Sequence, residues 1–296
     1  MIKKNIKMII TLIIIITLLL ASILVYRLAE KLYPNAILSL RREFIYIGTE
    51  IKLQEYTERK AVTTLSELLS SETTVLNNSM ILVSSKHPIT DKLDFSNISE
   101  YKKTDLYLDS CVHSSFSELS LYIQSIYSEK LYITSAYRSA SEQQQLYEEK
   151  GSVLAQKPGE SEHQTGLAAD IAVKGFGGSS FLKTNVGKYI NLHCWNYGFI
   201  VRYPDGKSEI TGIEYEPWHI RYVGAPHAEY IAKNNITLEE YVDSLTLDIL
   251  YTYDKLPQFT IIKTNGKSDI SIPEKYVSCM ISPDNCGNFI ITFMLY

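Results

Sequence analysis

The sequence predicts an α+β fold: an antiparallel sheet core with flanking helices, set between an N-terminal transmembrane helix and a small β-rich C-terminal extension. Three observations carry that expectation. An uncharged apolar run from Met8 to Tyr26 follows Lys3, Lys4 and Lys7. Between about Met80 and Leu245, strand-like and helix-like segments follow one another without the regular alternation that builds a parallel sheet. From Thr246 to Tyr296 the composition shifts toward β-branched and aromatic residues broken by Pro257, Gly266, Pro273 and Gly287.

Taken in order, residues 1–27 read as a cytoplasmic tip and membrane anchor. The apolar run spans roughly 28 Å as a helix, close to the thickness of the hydrocarbon core. The lysines keep the start of the chain in the cytoplasm and send the rest outward, which places the following domain outside a cell membrane crossed once. A cleaved signal peptide is the alternative, although the run is long and no Ala-x-Ala site follows it. Residues 28–79 are charged and mostly helical in character, with Leu38, Leu40, Phe44, Ile45 and Ile51 too irregularly spaced for a coiled coil, and are expected to form a stalk.

Residues 80–245 form the expected main domain. Ile81-Leu82-Val83 suggests an opening strand, and Ser115 to Ser128 a helix. Ser141 with Gln144 resembles a capping box opening a helix that Gly151 closes, and Gly187 to Tyr197 reads as a helix ended by Gly198. Phe199 to Tyr203 and Glu209 to Glu214 are expected to pair across the turn Pro204-Asp205-Gly206-Lys207. Thr237-Leu238-Glu239-Glu240 starts a short closing helix. Residues 246–296 add a few strands, which either cover a sheet edge or bind the wall or a partner.

The chemistry concentrates in Ser161-Glu162-His163-Gln164-Thr165-Gly166-Leu167-Ala168-Ala169-Asp170 and in Glu216-Pro217-Trp218-His219. Leu167, Ala169, Ile171 and Val173 alternate with Ala168, Asp170 and Ala172, so one acid interrupts an apolar strand. A lone buried carboxylate costs several kcal/mol unless a cation meets it. His163 sits just upstream, in a polar turn that Gly166 lets fold sharply. In the second strand Trp218, Ile220 and Tyr222 share one face, leaving His219 and Arg221 on the other. A set of His163, Asp170 and His219 with a fourth position open to water is the pattern of a catalytic zinc, although such donors also accept iron or manganese. Glu216 is the candidate base. On a flat strand it would face away from His219, so this role needs a bend, which Pro217 is placed to provide.

These segments resemble the VanY-type D-alanyl-D-alanine carboxypeptidases, zinc peptidases related in fold to the Hedgehog signalling domain. The resemblance rests on Ser161, His163, Gly166, Ala168 and Asp170, then on Glu216, Trp218 and His219. Tyr137-Arg138-Ser139, Tyr197-Gly198-Phe199-Ile200-Val201-Arg202-Tyr203-Pro204 and Arg221-Tyr222-Val223-Gly224 match in family order, so the similarity runs from about Met80 to about Leu245. It implies one Zn²⁺ per chain held by His163, Asp170 and His219, with Glu216 as general base and then acid. It further implies that Arg138 stabilises the oxyanion and that Ser161 holds the substrate's terminal carboxylate. Ile220 departs from the family, where an aromatic residue is frequent, and leaves the packing there open. The implied substrates are peptidoglycan stem peptides or lipid-linked precursors ending in D-Ala-D-Ala, whose trimming remodels the wall or deprives glycopeptide antibiotics of their target. An L,D-carboxypeptidase, a D,D-dipeptidase and a non-catalytic zinc-stabilised membrane module are the rival readings.

A net charge of −4 gives no basic footprint for nucleic acid. Cys111, Cys194, Cys279 and Cys286 lack the paired short spacing of a structural zinc site. Outside the membrane, Cys279 and Cys286 could close a small disulfide loop, with Cys111 and Cys194 as buried thiols. His87, His113, His193 and His227 are expected to be structural or solvated.

Overall fold

The structure is a computed structural model that describes residues 2–90, 93–152 and 155–296; the side chains of residues 2–5, among them Lys3 and Lys4, lie outside the described set. The chain divides into two compact units, residues 1–45 and 46–296. In the first, α1 (Ile2–Leu32) is followed by α2 (Pro34–Tyr46). Arg41 ties the two together through an ion pair to Glu30 at 3.0 Å and a hydrogen bond to the Tyr26 hydroxyl at 2.6 Å.

The helical stalk expected over 28–79 is corrected beyond Tyr46. That stretch continues as β1 (Leu53–Glu55), β2 (Lys60–Thr63), α3 (Leu65–Leu69) and β3 (Thr74–Leu76). Its strands are only three or four residues long, and their partners lie about two hundred residues away, so local periodicity could not reveal them. The opening strand expected at Ile81-Leu82-Val83 is corrected: the three side chains are fully buried but form no strand.

Next come the hairpin β4 (Ile98–Glu100) and β5 (Tyr107–Asp109), then α4 (His113–Tyr127), β6 (Tyr132–Ser135) and α5 (Ala140–Lys150). The capping box of α5 is Ser139 with Glu142, not Ser141 with Gln144: the Glu142 carboxylate accepts from the Ser139 N–H at 2.8 Å, and Gly151 closes the helix at φ +75°. β7 (Ala168–Ala172), α6 (Asn185–His193), β8 (Phe199–Val201), α7 (Ser208–Thr211), β9 (His219–Tyr222), α8 (His227–Asn234) and α9 (Leu238–Ser244) complete the main domain. A capping box of Thr237 with Glu240 opens α9 as expected.

The sheet that carries the site is four-stranded and antiparallel, in the order β6-β7-β9-β8. The hairpin expected between 199–203 and 209–214 is corrected: β8 pairs with β9, Ile200 opposite Arg221. The turn at Pro204 leads instead into α7, which ends at Gly212 with φ +75°. Strand alternation divides the sheet. Ala169, Ile171, Phe199, Val201 and Ile220 enter a core with Phe116, Leu119 and Ile123 of α4. Asp170, His219 and Arg221 therefore take the opposite face. Ile220 is fully buried in that core, so its departure from an aromatic residue is a matter of packing.

The extension comprises β10 (Leu250–Tyr253), β11 (Leu256–Thr264), β12 (Ile270–Pro273), β13 (Ser278–Pro283) and β14 (Phe289–Met294). With the strands from 53–76 it forms a six-stranded sheet, β1-β10-β11-β14-β13-β3, and a two-stranded pair of β12 with β2. A core of Ile200, Val223, Ile231, Tyr241, Ile261 and Ile290 joins this sheet to α8, α9 and the four-stranded sheet. Cys279 and Cys286 are free thiols, which corrects the suggested disulfide. The first is buried on β13 and the second exposed in the following loop. Cys194 donates its thiol to the Phe199 carbonyl at 3.4 Å.

Candidate metal centre

Asp170 and His219 are direct cross-strand partners in the β7/β9 ladder, so their side chains rise from one face of the sheet side by side. The Asp170 Oδ1 lies 3.0 Å from His219 Nδ1. Its Oδ2 lies 3.5 Å from Nε2 of His163. One donor atom from each of the three residues lies within 4.8 Å of the others.

His163 reaches this point from a 3-10 turn, Glu162–Thr165, capped by Gly166 at φ +70°. A Cβ at Gly166 would meet the Asp109 amide nitrogen at 2.7 Å, so glycine is required both by conformation and by the close approach of β5. His163 Nδ1 is 2.8 Å from the Ala136 carbonyl. A carbonyl only accepts, so Nδ1 carries the proton and Nε2 presents its lone pair to the site.

The bend required of Glu216 is present. The His219 N–H donates to the Glu216 carbonyl at 3.1 Å, closing a turn over Pro217 that swings the Glu216 carboxylate to 3.6 Å from His219 Nδ1. Burial raises the Glu216 carboxyl above its ordinary value, Asp170 adds to the rise and His219 opposes it. Arg138, just before α5, is half-buried and donates to Gln143 Oε1 at 2.7 Å and to Ser135 Oγ at 2.9 Å. Its N–H donates to the His163 carbonyl at 3.1 Å. Ser161 is buried at the entry to the His163 turn, and its side chain caps nothing there.

Four charged residues escaped the sequence reading as parts of the site. Glu162, Arg202 and Arg221 are fully buried, and Glu239 is nearly so. Glu162 Oε1 accepts from Arg202 Nε at 2.7 Å and from Arg221 Nη1 at 2.6 Å. Glu239 accepts twice from Arg202, at 2.9 and 2.6 Å. Burial opposes charge on Glu162, yet Arg202 and Arg221 hold its carboxyl well below the usual range. Their sequence signal is of the same kind as that of Asp170: Arg202 follows an apolar strand and Arg221 lies within one, so each needs a buried acid.

The donor set fits a divalent zinc ion: two imidazoles and a carboxylate converge, and a second carboxylate stands beside them. The electrostatics agree. Burial works against charge on Asp170, but the His163 and His219 imidazoles beside it keep its carboxyl well below the usual range. Burial likewise opposes a proton on His219, yet Asp170, Glu162 and Glu216 lift it to about 10, whereas burial pushes His163 down. Carboxylates that hold a proton this firmly supply the negative field a dication neutralises, and metal entry then displaces that proton.

Comparison with known proteins places the chain in a family. Residues 105–225 match the family model described as VanY, D-alanyl-D-alanine carboxypeptidase. A D-alanyl-D-alanine carboxypeptidase of Enterococcus faecium is 34% identical over 257 residues, covering 80% of this chain and 80% of its own. The chain belongs to the VanY family of D-alanyl-D-alanine carboxypeptidases. Among solved structures, a point variant of the vancomycin-resistance D,D-pentapeptidase VanY in complex with Zn(II) aligns with a TM-score of 0.50 and 30% identity, over 55% of this chain and 98% of that one. The LdcB LD-carboxypeptidase aligns at 0.51 and 33% identity, over 56% and 86%. Like its VanY relatives, this family member is a zinc peptidase, and among the described residues His163, Asp170 and His219 form a group that could hold a metal ion.

Proposed function

We propose that this chain removes the terminal D-alanine from peptidoglycan stem peptides or lipid-linked precursors ending in D-Ala-D-Ala, at the outer face of the membrane that α1 anchors. The observation that carries the reading is the convergence of His163, Asp170 and His219 within 4.8 Å, with the Glu216 carboxylate 3.6 Å from His219. Zinc held by these three residues supplies a Lewis acid that makes water nucleophilic near pH 7. Glu216 accepts the proton of the attacking water and returns it to the leaving amine, a task suited to a carboxylate raised by burial. Arg138, fixed by Gln143 and Ser135, offers a permanent positive charge to the developing oxyanion. Ser161, at the mouth of the His163 turn, is assigned to the substrate's terminal carboxylate.

The anchor rests on one apolar helix, Ile6–Leu32, with a mean hydropathy of 3.1 over its most apolar window. Retention of the protein in membranes after alkaline carbonate extraction, with an intact N-terminus by mass, supports anchoring; release of a shortened chain would make the segment a signal peptide.

Substrate length separates the related activities. Mass spectrometry of muramyl pentapeptide, muramyl tetrapeptide and free D-Ala-D-Ala, each incubated with zinc-loaded protein, is expected to show loss of one alanine from the pentapeptide. The likeness to the LdcB LD-carboxypeptidase keeps one second reading in view. Cleavage confined to the tetrapeptide would establish that reading, and cleavage confined to the dipeptide would make the protein a dipeptidase. Hydrolysis of none of the three would leave a zinc-stabilised binding module, against which the placement of Glu216 argues.

A further inference from the structure

Glu162 uses one oxygen for both arginines and leaves the other unused. Oε2 is buried without a hydrogen-bond partner, and so is Nε2 of His219, 3.8 Å away. A donor and an acceptor left unsatisfied in the interior each cost about 1–3 kcal/mol. They face one another here, and a closure of about 1 Å brings them to hydrogen-bonding distance.

We infer that Glu162 is a positioning residue for the metal centre: it accepts the Nε2–H of His219 and so fixes Nδ1 as the nitrogen that binds zinc. The inference rests on the metal-centre reading and concerns how one ligand is oriented. His219 Nδ1 already faces Asp170 at 3.0 Å and Glu216 at 3.6 Å, while its Nε2 faces away from the donor cluster toward Glu162. His163 shows the opposite arrangement, with Nδ1 bound to the Ala136 carbonyl and Nε2 toward Asp170. The two imidazoles are therefore set in opposite tautomers by two different acceptors, one a backbone carbonyl and the other a buried carboxylate.

The surroundings of Glu162 suit this task. Arg202 is fixed from its other side by Glu239 of α9, and Arg221 Nη2 donates to the carbonyls of Ser79 at 3.0 Å and Ile81 at 2.7 Å. Glu162 consequently cannot rotate without breaking two charge-assisted bonds. Its charge is already shared by two guanidinium groups, so it accepts the imidazole N–H without stripping it of its proton. The network also joins the metal ligand to α9 and to the segment at 79–81, outside the four-stranded sheet.

The test uses full-length protein in detergent, labelled with ¹⁵N-histidine and loaded with zinc. Two-bond ¹H–¹⁵N correlations should show two metal-bound imidazoles of opposite pattern, one protonated at Nε2 and one at Nδ1. Two ligands bound through the same kind of nitrogen would overturn the inference. Glu162→Gln and Glu162→Asp should each weaken zinc binding by about 10- to 100-fold and shift the His219 ring signals. Unchanged affinity and unchanged ring signals in both variants would also overturn it. Should either variant fail to fold around its two arginines, the ring pattern of the wild type still decides. Zinc affinity and ring signals are read without substrate, so failure of peptide hydrolysis with the expected pattern intact would sink the peptidase reading alone.

Discussion

Glu216 and His219 are three residues apart on a segment that runs into a strand, yet the turn over Pro217 places the carboxylate 3.6 Å from the ring. That separation of roles predicts distinct phenotypes. Glu216→Gln should keep one zinc per chain and lose about 10²- to 10⁴-fold in turnover, whereas His163→Ala and His219→Ala should lose metal and activity together, as read by metal analysis alongside kinetics. Arg138→Ala should retain zinc and fall about 10²- to 10³-fold in kcat; unchanged kinetics would remove Arg138 from the mechanism. The cluster was legible in the sequence because an acid in an apolar strand demands a cation, His219 lies opposite it on the neighbouring strand, and His163 sits in the turn just upstream. Glu162 was not, since its meaning comes from Arg202 and Arg221, forty and fifty-nine positions on.

Elements were legible where local chemistry decides them and obscure where a distant partner does. The helices α4, α6 and α9 emerged near their expected places because caps and periodicity are encoded within a few residues. The partner of β8 was misjudged because a sound turn at Pro204-Asp205-Gly206-Lys207 suggested a hairpin, while the stable ladder forms with β9, whose Ile220 faces the α4 core. β1, β2 and β3 were missed for the same reason, as each pairs with a strand of the C-terminal extension. The turn that delivers His163 is the element most sensitive to a small change. Gly166→Ala forces a side chain into left-handed backbone and against Asp109, and should destabilise the protein by about 2 kcal/mol or more in urea denaturation. A ΔΔG near zero would mean that β5 yields without cost.

For the molecule as a whole, the six-stranded sheet serves as a foundation for the site. His227 lies in the core between the sheets, its Nδ1 2.7 Å from the Tyr241 hydroxyl and its Nε2 3.0 Å from Thr292 Oγ1. Burial pushes its pKa down to about 3. An unfolded chain takes up this proton near pH 6.5 and the folded chain does not, so the contribution to stability is complete above pH 6.5 and is lost as pH falls toward 3. The integrated loss is on the order of 4–5 kcal/mol. Denaturation midpoints of the wild type should therefore fall more steeply with acid than those of His227→Asn, and parallel acid limbs would contradict this account of His227. The joint between domain and extension thus has an acid sensitivity of its own, separate from the metal. The metal itself is tested most directly by titrating zinc into the chelated full-length protein while measuring D-alanine released from muramyl pentapeptide. Release should climb in proportion to added metal and level off at one zinc per chain. Release that ignores zinc, or one tightly bound zinc with no D-alanine released, would contradict the convergence of His163, Asp170 and His219 on a catalytic ion.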